Sequence, residues 1–353
     1  MREAGHVVVT NPDMLHTGIL PHHTKWMKLF ENLRYGVIDE LHQYRGVFGS
    51  HVANVIRRLH RVCRFYGSDP IFICCSATIA NPAELARNIV RRPVTLVDDN
   101  GAPRGRKVVA IYNPPVVNRE LGIRQSSVNA ARVIGSRLLQ AGVQTIVFAP
   151  SRVRVELLLR YLREALKPPP GRATGPDAGP PQVEGYRGGY LPNERRAVER
   201  GLREGRIRGV VATNALELGV DIGGLDAAVL TGYPGTLASA WQQMGRAGRR
   251  NDLAFSVVVA SSSPLSQYVA SNPDYLFDTT PEAGLVDPDN LLVRVSHMKC
   301  AAFELPFDEG DITASAGGEG GDFGRNAADL LDLLADEGVL VKAGGRYHWM
   351  AEV

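Results

Sequence analysis

The chain has 353 residues, is 44% hydrophobic and 22% charged, and carries a formal net charge of +3, the balance of an ordinary globular protein with room for two domains and part of a third. No apolar run reaches the roughly 18–20 residues that span a bilayer, and Met1-Arg2-Glu3-Ala4-Gly5-His6 has neither the length nor the order of a secretory signal. Cys63, Cys74, Cys75 and Cys300 never fall as C-x-x-C, which suggests neither a zinc site nor a disulfide framework and makes a cytoplasmic location without membrane contact the plain expectation.

In chain order, Val7-Val8-Val9-Thr10 reads as a short strand ending in the turn signal Asn11-Pro12-Asp13. Tyr35-Gly36-Val37-Ile38 ends in Asp39-Glu40, and Ile71-Phe72-Ile73-Cys74-Cys75 ends in Ser76-Ala77-Thr78. Helical stretches such as Val52–Val62 lie between them, so the region predicts an α/β fold with a buried parallel sheet. In such sheets ligand-binding residues gather at the carboxyl ends of strands. Gly101-Ala102-Pro103 and Asn113-Pro114-Pro115 break the rhythm, placing a domain boundary near 105–125.

A second alternating region follows. Thr145-Ile146-Val147-Phe148 runs into Ala149-Pro150-Ser151-Arg152, then Val155, Leu158, Leu159, Leu162 and Leu166 fall at helical spacing. Gly209–Thr213, Ala227–Thr231 and Phe255–Val259 are further strands, while the Pro- and Gly-rich stretch Lys167–Pro181 reads as a flexible surface insertion. Near the end, Asn326–Glu337 has helical periodicity, and two short apolar runs flank Ala343-Gly344-Gly345 as a hairpin. Helix then hairpin fits the start of a winged-helix-like domain or a helical cap with a β-ribbon.

Three groups of residues carry chemistry. Asp39 and Glu40 at a strand end suit a nucleotide hydrolase: the first carboxylate can hold Mg²⁺, a hard ion that prefers oxygen, and the second can polarise water. Alone, D-E-x-H is more commonly a solvated acidic loop. Ser76-Ala77-Thr78 offers two hydroxyls to a neighbouring side chain, or serves as a turn or helix cap ahead of the helix start Asn81-Pro82-Ala83-Glu84. Gln242-Gln243-Met244-Gly245-Arg246-Ala247-Gly248-Arg249-Arg250 is more specific. Arg246 and Arg249, three apart, predict one helix face, and the glycines allow a phosphate to approach the backbone.

In this order the motifs resemble the core of superfamily-two DEAD/DEAH-box helicases. Ile38–His42 resembles motif II, Ser76–Thr78 motif III, Phe148–Arg152 motif IV, Ala212–Asp221 motif V and Gln242–Arg249 motif VI. The runs Gly36–Ala53, Tyr186-Arg187-Gly188-Gly189-Tyr190, Asn290–Arg294 and Cys300–Phe307 narrow the resemblance to the YprA/MrfA-type DNA helicases, relatives of the RecQ-like enzymes.

The resemblance implies two RecA-like domains, the first N-terminally incomplete, at 1–110 and 120–285, followed by a linker and partial winged-helix-like domain at 290–353. It implies ATP and Mg²⁺ as cofactors, single-stranded or forked DNA as partner, 3′→5′ translocation and a role in DNA repair. Asp39 would hold Mg²⁺ and Glu40 activate water; His42, Ser76 and Thr78 would couple hydrolysis to movement. Gly219, Asp221, Gln242, Arg246 and Arg249 would meet the nucleotide, the two arginines acting catalytically with Glu40. Thr10, Asn11, Pro12, Ser151, Arg152 and Thr213 would hold the nucleic-acid backbone. Gln243 departs from many relatives, which carry Arg there, although RecQ-like helicases depart too.

The family's phosphate loop, G-x-x-x-x-G-K-[ST], is absent: no Lys in the chain follows a Gly. The family's Cys-rich zinc domain is absent as well, so the sequence reads as truncated at both ends, inactive alone, with a missing or separately encoded N-terminal segment supplying the loop. A non-catalytic nucleic-acid-binding remnant and an RNA helicase stand as alternatives, since backbone contacts do not by themselves separate DNA from RNA.

Overall fold

The computed structural model describes residues 5–99, 101, 105–167, 182–217, 220, 222–248, 253–308, 311, 323–324 and 326–350. It contains two compact units, Met1–Asp98 with Ala283–Val353, and Asp99–Glu282. Among the described residues no helix is long and apolar enough to cross a membrane.

The first segment begins with α1 (Pro12–Met14), capped by Asn11, whose Oδ1 accepts from the Met14 amide at 2.7 Å. Pro12 takes the first helical position, where a missing N–H costs nothing. After a π-helical turn (Leu15–Ile19) and a 3₁₀ stretch (Leu20–Trp26) come α2 (Met27–Glu31), β1 (Tyr35–Ile38), α3 (Gly46–Phe65), β2 (Ile71–Cys74) and α4 (Pro82–Val90). Strands β1 and β2 pair in parallel, Tyr35 opposite Ile71 through Ile38 opposite Cys74. Ile38, Phe72 and Cys74 pack toward a core of Leu41, Val52, Ile56, Leu59 and Leu85. The alternate residues Tyr35, Val37, Ile71 and Ile73 are exposed.

Val7–Thr10, expected as a strand, is not one. Among the described residues no strand lies beside it to complete a ladder, and Val7 and Val9 are 81% and 95% exposed. An apolar run satisfies its backbone as a strand only with a neighbour to pair with.

The second unit opens with β3 (Lys107–Tyr112) and a small hairpin of β4 (Val116–Asn118) and β5 (Ile123–Arg124). Then α5 (Ser127–Gln140), β6 (Thr145–Phe148), α6 (Arg152–Ala165), β7 (Gln182–Tyr186), α7 (Pro192–Arg203), β8 (Ile207–Ala212), β9 (Ala227–Thr231), α8 (Leu237–Gly245) and β10 (Ala254–Val259) follow. Six strands form one parallel sheet in the order β3-β10-β9-β6-β8-β7. Every residue of β6 and β9 is buried. Val147, Val211 and Val229 pack with α5 and α6 on one face; Ile146, Val210 and Leu230 pack with α7 and α8 on the other. Most of the Lys167–Pro181 insertion lies outside the described residues.

Two short helices, α9 (Pro264–Ser271) and α10 (Asp274–Phe277), complete this unit, and the chain then returns to the first one. There α11 (Leu291–Glu304) packs on α3, α12 (Ala327–Asp336) packs beside Met298 and Phe307, and β11 (Leu340–Ala343) pairs antiparallel with β12 (Arg346–Trp349). Both turn residues, Gly344 and Gly345, have positive φ, as the tight two-residue hairpin requires.

The α3–α11 contact is polar as well as apolar. Arg57 meets Asp289 at 2.6 Å, Arg61 meets Asp311 at 2.8 Å, and the fully buried Arg58 forks onto Glu304, its Nε 3.1 Å from both carboxylate oxygens. Arg58 Nη1 also lies against His16 and His297. A buried ion pair adds little over an apolar one, but removing one partner strands a charge in low dielectric. Glu304→Ala is therefore expected to lower the stability of this unit by about 3–5 kcal/mol, followed by hydrogen exchange of α3 under mild denaturant; a loss below about 1 kcal/mol would contradict this role of the pair.

Candidate functional site

In the first unit the chain leaves β1 through Asp39 and Glu40. Glu40 has φ +52°, uncommon for a residue with a Cβ. Neighbouring bonds hold it there: Asp39 Oδ1 accepts from the Glu40 amide at 2.9 Å, the Gln43 amide donates to the Glu40 carbonyl at 2.8 Å, and the Leu41 amide donates to the Cys75 carbonyl at 2.8 Å. The turn is thus tied both to itself and to the end of β2.

His42 is buried and joins the two motifs. The Ala77 amide donates to its Nδ1 at 3.1 Å, so the neutral ring carries its proton on Nε2, and that nitrogen lies 3.4 Å from Glu40 Oε2. Ser76 Oγ donates to the Ala77 carbonyl at 2.9 Å, and Ser76 and Thr78 are exposed. They do not cap α4, because Asn81 occupies the N-cap position and Pro82 begins the helix. Gly49 in α3 comes so close to the Tyr44 carbonyl and the Val286 side chain that a Cβ there would collide with both. The Tyr44 hydroxyl is held above its ordinary pKa by burial first and then by the Asp39 and Glu40 charges.

The two carboxylates are oxygen donors of the kind a hard divalent ion takes. Among the described residues no group of three or more His, Cys, Asp or Glu side chains could hold a metal. One or two carboxylates are a set that a hard divalent ion can take while completing its shell with water and phosphate oxygens. Upstream, Thr10 and Asn11 are exposed beside the part-buried Pro12; the Asn11 side chain is engaged as the α1 cap, and Thr10 Oγ1 donates weakly to the Asn11 carbonyl at 3.4 Å.

In the second unit Ser151 follows β6 and caps α6, accepting from the Arg154 amide at 3.3 Å, with Arg152 exposed in the next position. Gly188, two residues beyond β7, lies beside Arg152: a Cβ there would stand in ordinary contact with its Nη2, 3.4 Å away. Beside them Arg187 Nε donates to Glu156 at 2.7 Å and its guanidinium lies 4.7 Å over the Tyr190 ring. Thr213 follows β8, and its hydroxyl accepts from the Ala215 amide at 3.4 Å to cap a single 3₁₀ turn, Asn214–Leu216.

The arginine motif differs from its expected form. Helix α8 stops at Gly245 and Arg246 occupies its C-cap position, so the helical stretch ends before the second arginine of the motif is reached. Ala247 forms a bridge with Leu225, and Gly248 takes φ +138°, a conformation closed to most side chains. Nothing lies within 4 Å of where a Cβ on Gly245 would stand. Gln242 is part-buried, and Arg246 Nη1 donates to the Val220 carbonyl at 2.8 Å. Gly219, Asp221 and Arg249 lie outside the described residues. Sequence reasoning assigned no role to Glu217, which accepts from Ser239 and Gln243, nor to Glu156; nothing in local spacing marks either partner.

Residues 1–85 match the DEAD/DEAH box helicase family and residues 130–251 match the helicase conserved C-terminal domain. The ATP-dependent helicase YprA of Bacillus subtilis is 56% identical over all 353 residues, which cover 45% of that protein. The ATP-dependent helicase HRQ1 of Saccharomyces cerevisiae is 40% identical over 315 residues, 87% of this chain and 29% of the yeast protein. A crystal structure of the DUF1998 helicase MrfA bound to DNA and AMPPNP is similar with a TM-score of 0.90 and 56% identity, over all of this chain and 47% of that one. The chain thus spans less than half the length of these relatives. One family match falls on each compact unit, and the two units carry the two RecA-like domains.

The His42 geometry has a direct test. Nitrogen-15 spectra of the ring, taken where it is neutral, should show Nε2 protonated and Nδ1 bare; the opposite tautomer would break the connection between Glu40 and Ala77.

Proposed function

Since this chain belongs to the superfamily-two helicases, with DEAD/DEAH-box and helicase C-terminal regions, we propose that it forms the motor part of an ATP-dependent DNA helicase. The observation that carries this reading is the Glu40–His42–Ala77 connection, which links the carboxylate motif to the Ser-Ala-Thr motif through one buried ring. A solvated acidic loop has no need of a buried imidazole with both nitrogens engaged. The AMPPNP and DNA held by the MrfA structure support ATP as the nucleotide and DNA as the polymer.

In this reading Asp39 holds Mg²⁺, Glu40 orients and polarises the attacking water, and His42 with Ser76 and Thr78 passes the nucleotide state onward. Gly219, Asp221, Gln242, Arg246 and Arg249 meet the nucleotide. Thr10, Asn11, Pro12, Ser151, Arg152 and Thr213 hold the backbone of single-stranded or forked DNA. Movement runs 3′→5′, the setting is cytoplasmic DNA repair, and residues 290–353 form a linker and the start of a winged-helix-like domain. The phosphate loop comes from a segment outside these 353 residues, and the exposed sheet face of Tyr35, Val37, Ile71 and Ile73 is where that segment packs.

The decisive variant is Arg249→Ala, in a protein carrying these residues together with the phosphate-loop segment. DNA-stimulated kcat should fall at least ~100-fold with a smaller change in ATP affinity, and Arg249→Lys should restore little, because an ammonium lacks the planar fork. Weakened ATP binding at unchanged kcat would make the arginine a ground-state clamp and overturn its catalytic role.

A further inference from the structure

Glu217 sits within the motif-V-like run, between Thr213 and the residues expected at the nucleotide, and its carboxylate is buried against neutral donors. It is 8% exposed. Its Oε2 accepts from Ser239 Oγ at 2.8 Å and from Gln243 Nε2 at 3.0 Å, two donors one turn apart on α8. The donors also meet each other, Gln243 Nε2 to Ser239 Oγ at 3.2 Å. The Glu217 carbonyl accepts from Arg246, Nε at 3.0 Å and Nη2 at 2.6 Å, while Nη1 reaches the Val220 carbonyl. On its other side, the Glu217 amide closes the 3₁₀ turn onto Asn214, and Thr213 caps that turn.

A buried carboxylate is tolerated only when donors replace its lost water. Here those donors are neutral, and one of them is the glutamine that stands where a charged residue is common in related motifs. Gln243 is 6% exposed, its Nε2 engaged with Glu217 and Ser239. Its amide is matched to the carboxylate: an acceptor-only side chain there would face Glu217 with no proton between them. The carboxylate therefore fixes α8, and the carbonyl of the same residue fixes the arginine that ends α8.

We propose that Glu217 and Gln243 are a positioning pair: they lock the turn after β8 to the end of α8, so that Thr213 and Arg246 belong to one rigid piece. Neither residue touches a reacting atom. The value of the pair to catalysis rests on the reading that Arg246 meets the nucleotide and Thr213 the nucleic acid; the pairing itself does not.

The test is an exchange of partners in the intact 353-residue chain, read by amide hydrogen exchange and by the affinity for a single-stranded oligothymidylate. Gln243→Glu, which sets two carboxylates together, should raise exchange at the Ala215–Glu217 amides about tenfold or more, with β6 and β9 protection unchanged. Adding Glu217→Gln should restore those amides to within about threefold, because amide and carboxylate have traded places. Unchanged exchange in Gln243→Glu would overturn the pair, and so would a double variant that fails to recover while β6 and β9 stay protected. Protection lost evenly across the sheet would make Gln243 a packing residue and also overturn it. Local exchange that follows the swap while oligonucleotide affinity stays constant upholds the pair and removes the nucleic-acid role of Thr213.

Discussion

A parallel strand covered on both faces has nothing left to offer a ligand along its length. Its N–H and C=O groups are committed to the ladder and its side chains to two cores, as every residue of β6 and β9 shows. The chain becomes available for chemistry only where it leaves the carboxyl end. That constraint orders the second unit, and in the first, where β1 and β2 are covered on one face among the described residues, the motif residues leave the carboxyl ends in the same way. Asp39 and Glu40 follow β1, Ser76–Thr78 follow β2, Ser151 and Arg152 follow β6, and Thr213 follows β8. Because the strands are parallel, these exits fall on one edge within each sheet, and segments far apart in sequence become neighbours.

Neighbourhood alone does not fix geometry; buried polar groups do that. His42 has one nitrogen on a backbone amide and the other facing a carboxylate, so its ring has little freedom to turn. Glu217 is held by two side-chain donors and holds Arg246 with its carbonyl. Each is inside the protein and must be satisfied, and the set of partners that can satisfy it is small. Several groups proposed to meet solutes, Asp39, Ser151 and Arg152, are by contrast exposed. Buried polar residues position, and exposed ones contact.

The sequence was most legible where packing leaves a dense signal. The interior strands β6, β8, β9 and β10 are apolar runs bounded by turn residues, and they stand where those runs predict. Of the six strands in the large sheet, the two that escaped notice, β3 and β7, are its two edges. Gln182-Val183-Glu184-Gly185-Tyr186 pairs on one side only and mixes polar residues with a glycine, so no apolar run announces it. Val7–Thr10 failed in the opposite way, an apolar run without a neighbour. Glycines were legible as places of close approach but not as a helix end: α8 stops at Gly245, and Gly248 takes φ +138° beyond it. Among candidate site residues, the motif strings located the strand ends, whereas the partners of His42 and Glu217 come from 35 and 22–26 residues away and leave no local trace. The arginines of α3 were read only as part of a helix, since their carboxylates lie more than 230 residues downstream.

The central claim is that strand-end residues grip a nucleic-acid backbone, and its most direct measurement is the salt dependence of single-stranded DNA binding by this chain, with and without Arg152→Ala. Each phosphate contact contributes about 0.7 to the slope of log K against log salt for a single strand. The account predicts similar affinity for oligonucleotides of different sequence and a slope lower by about 0.7 in the variant. A slope and affinity untouched by the loss of Arg152 would contradict it.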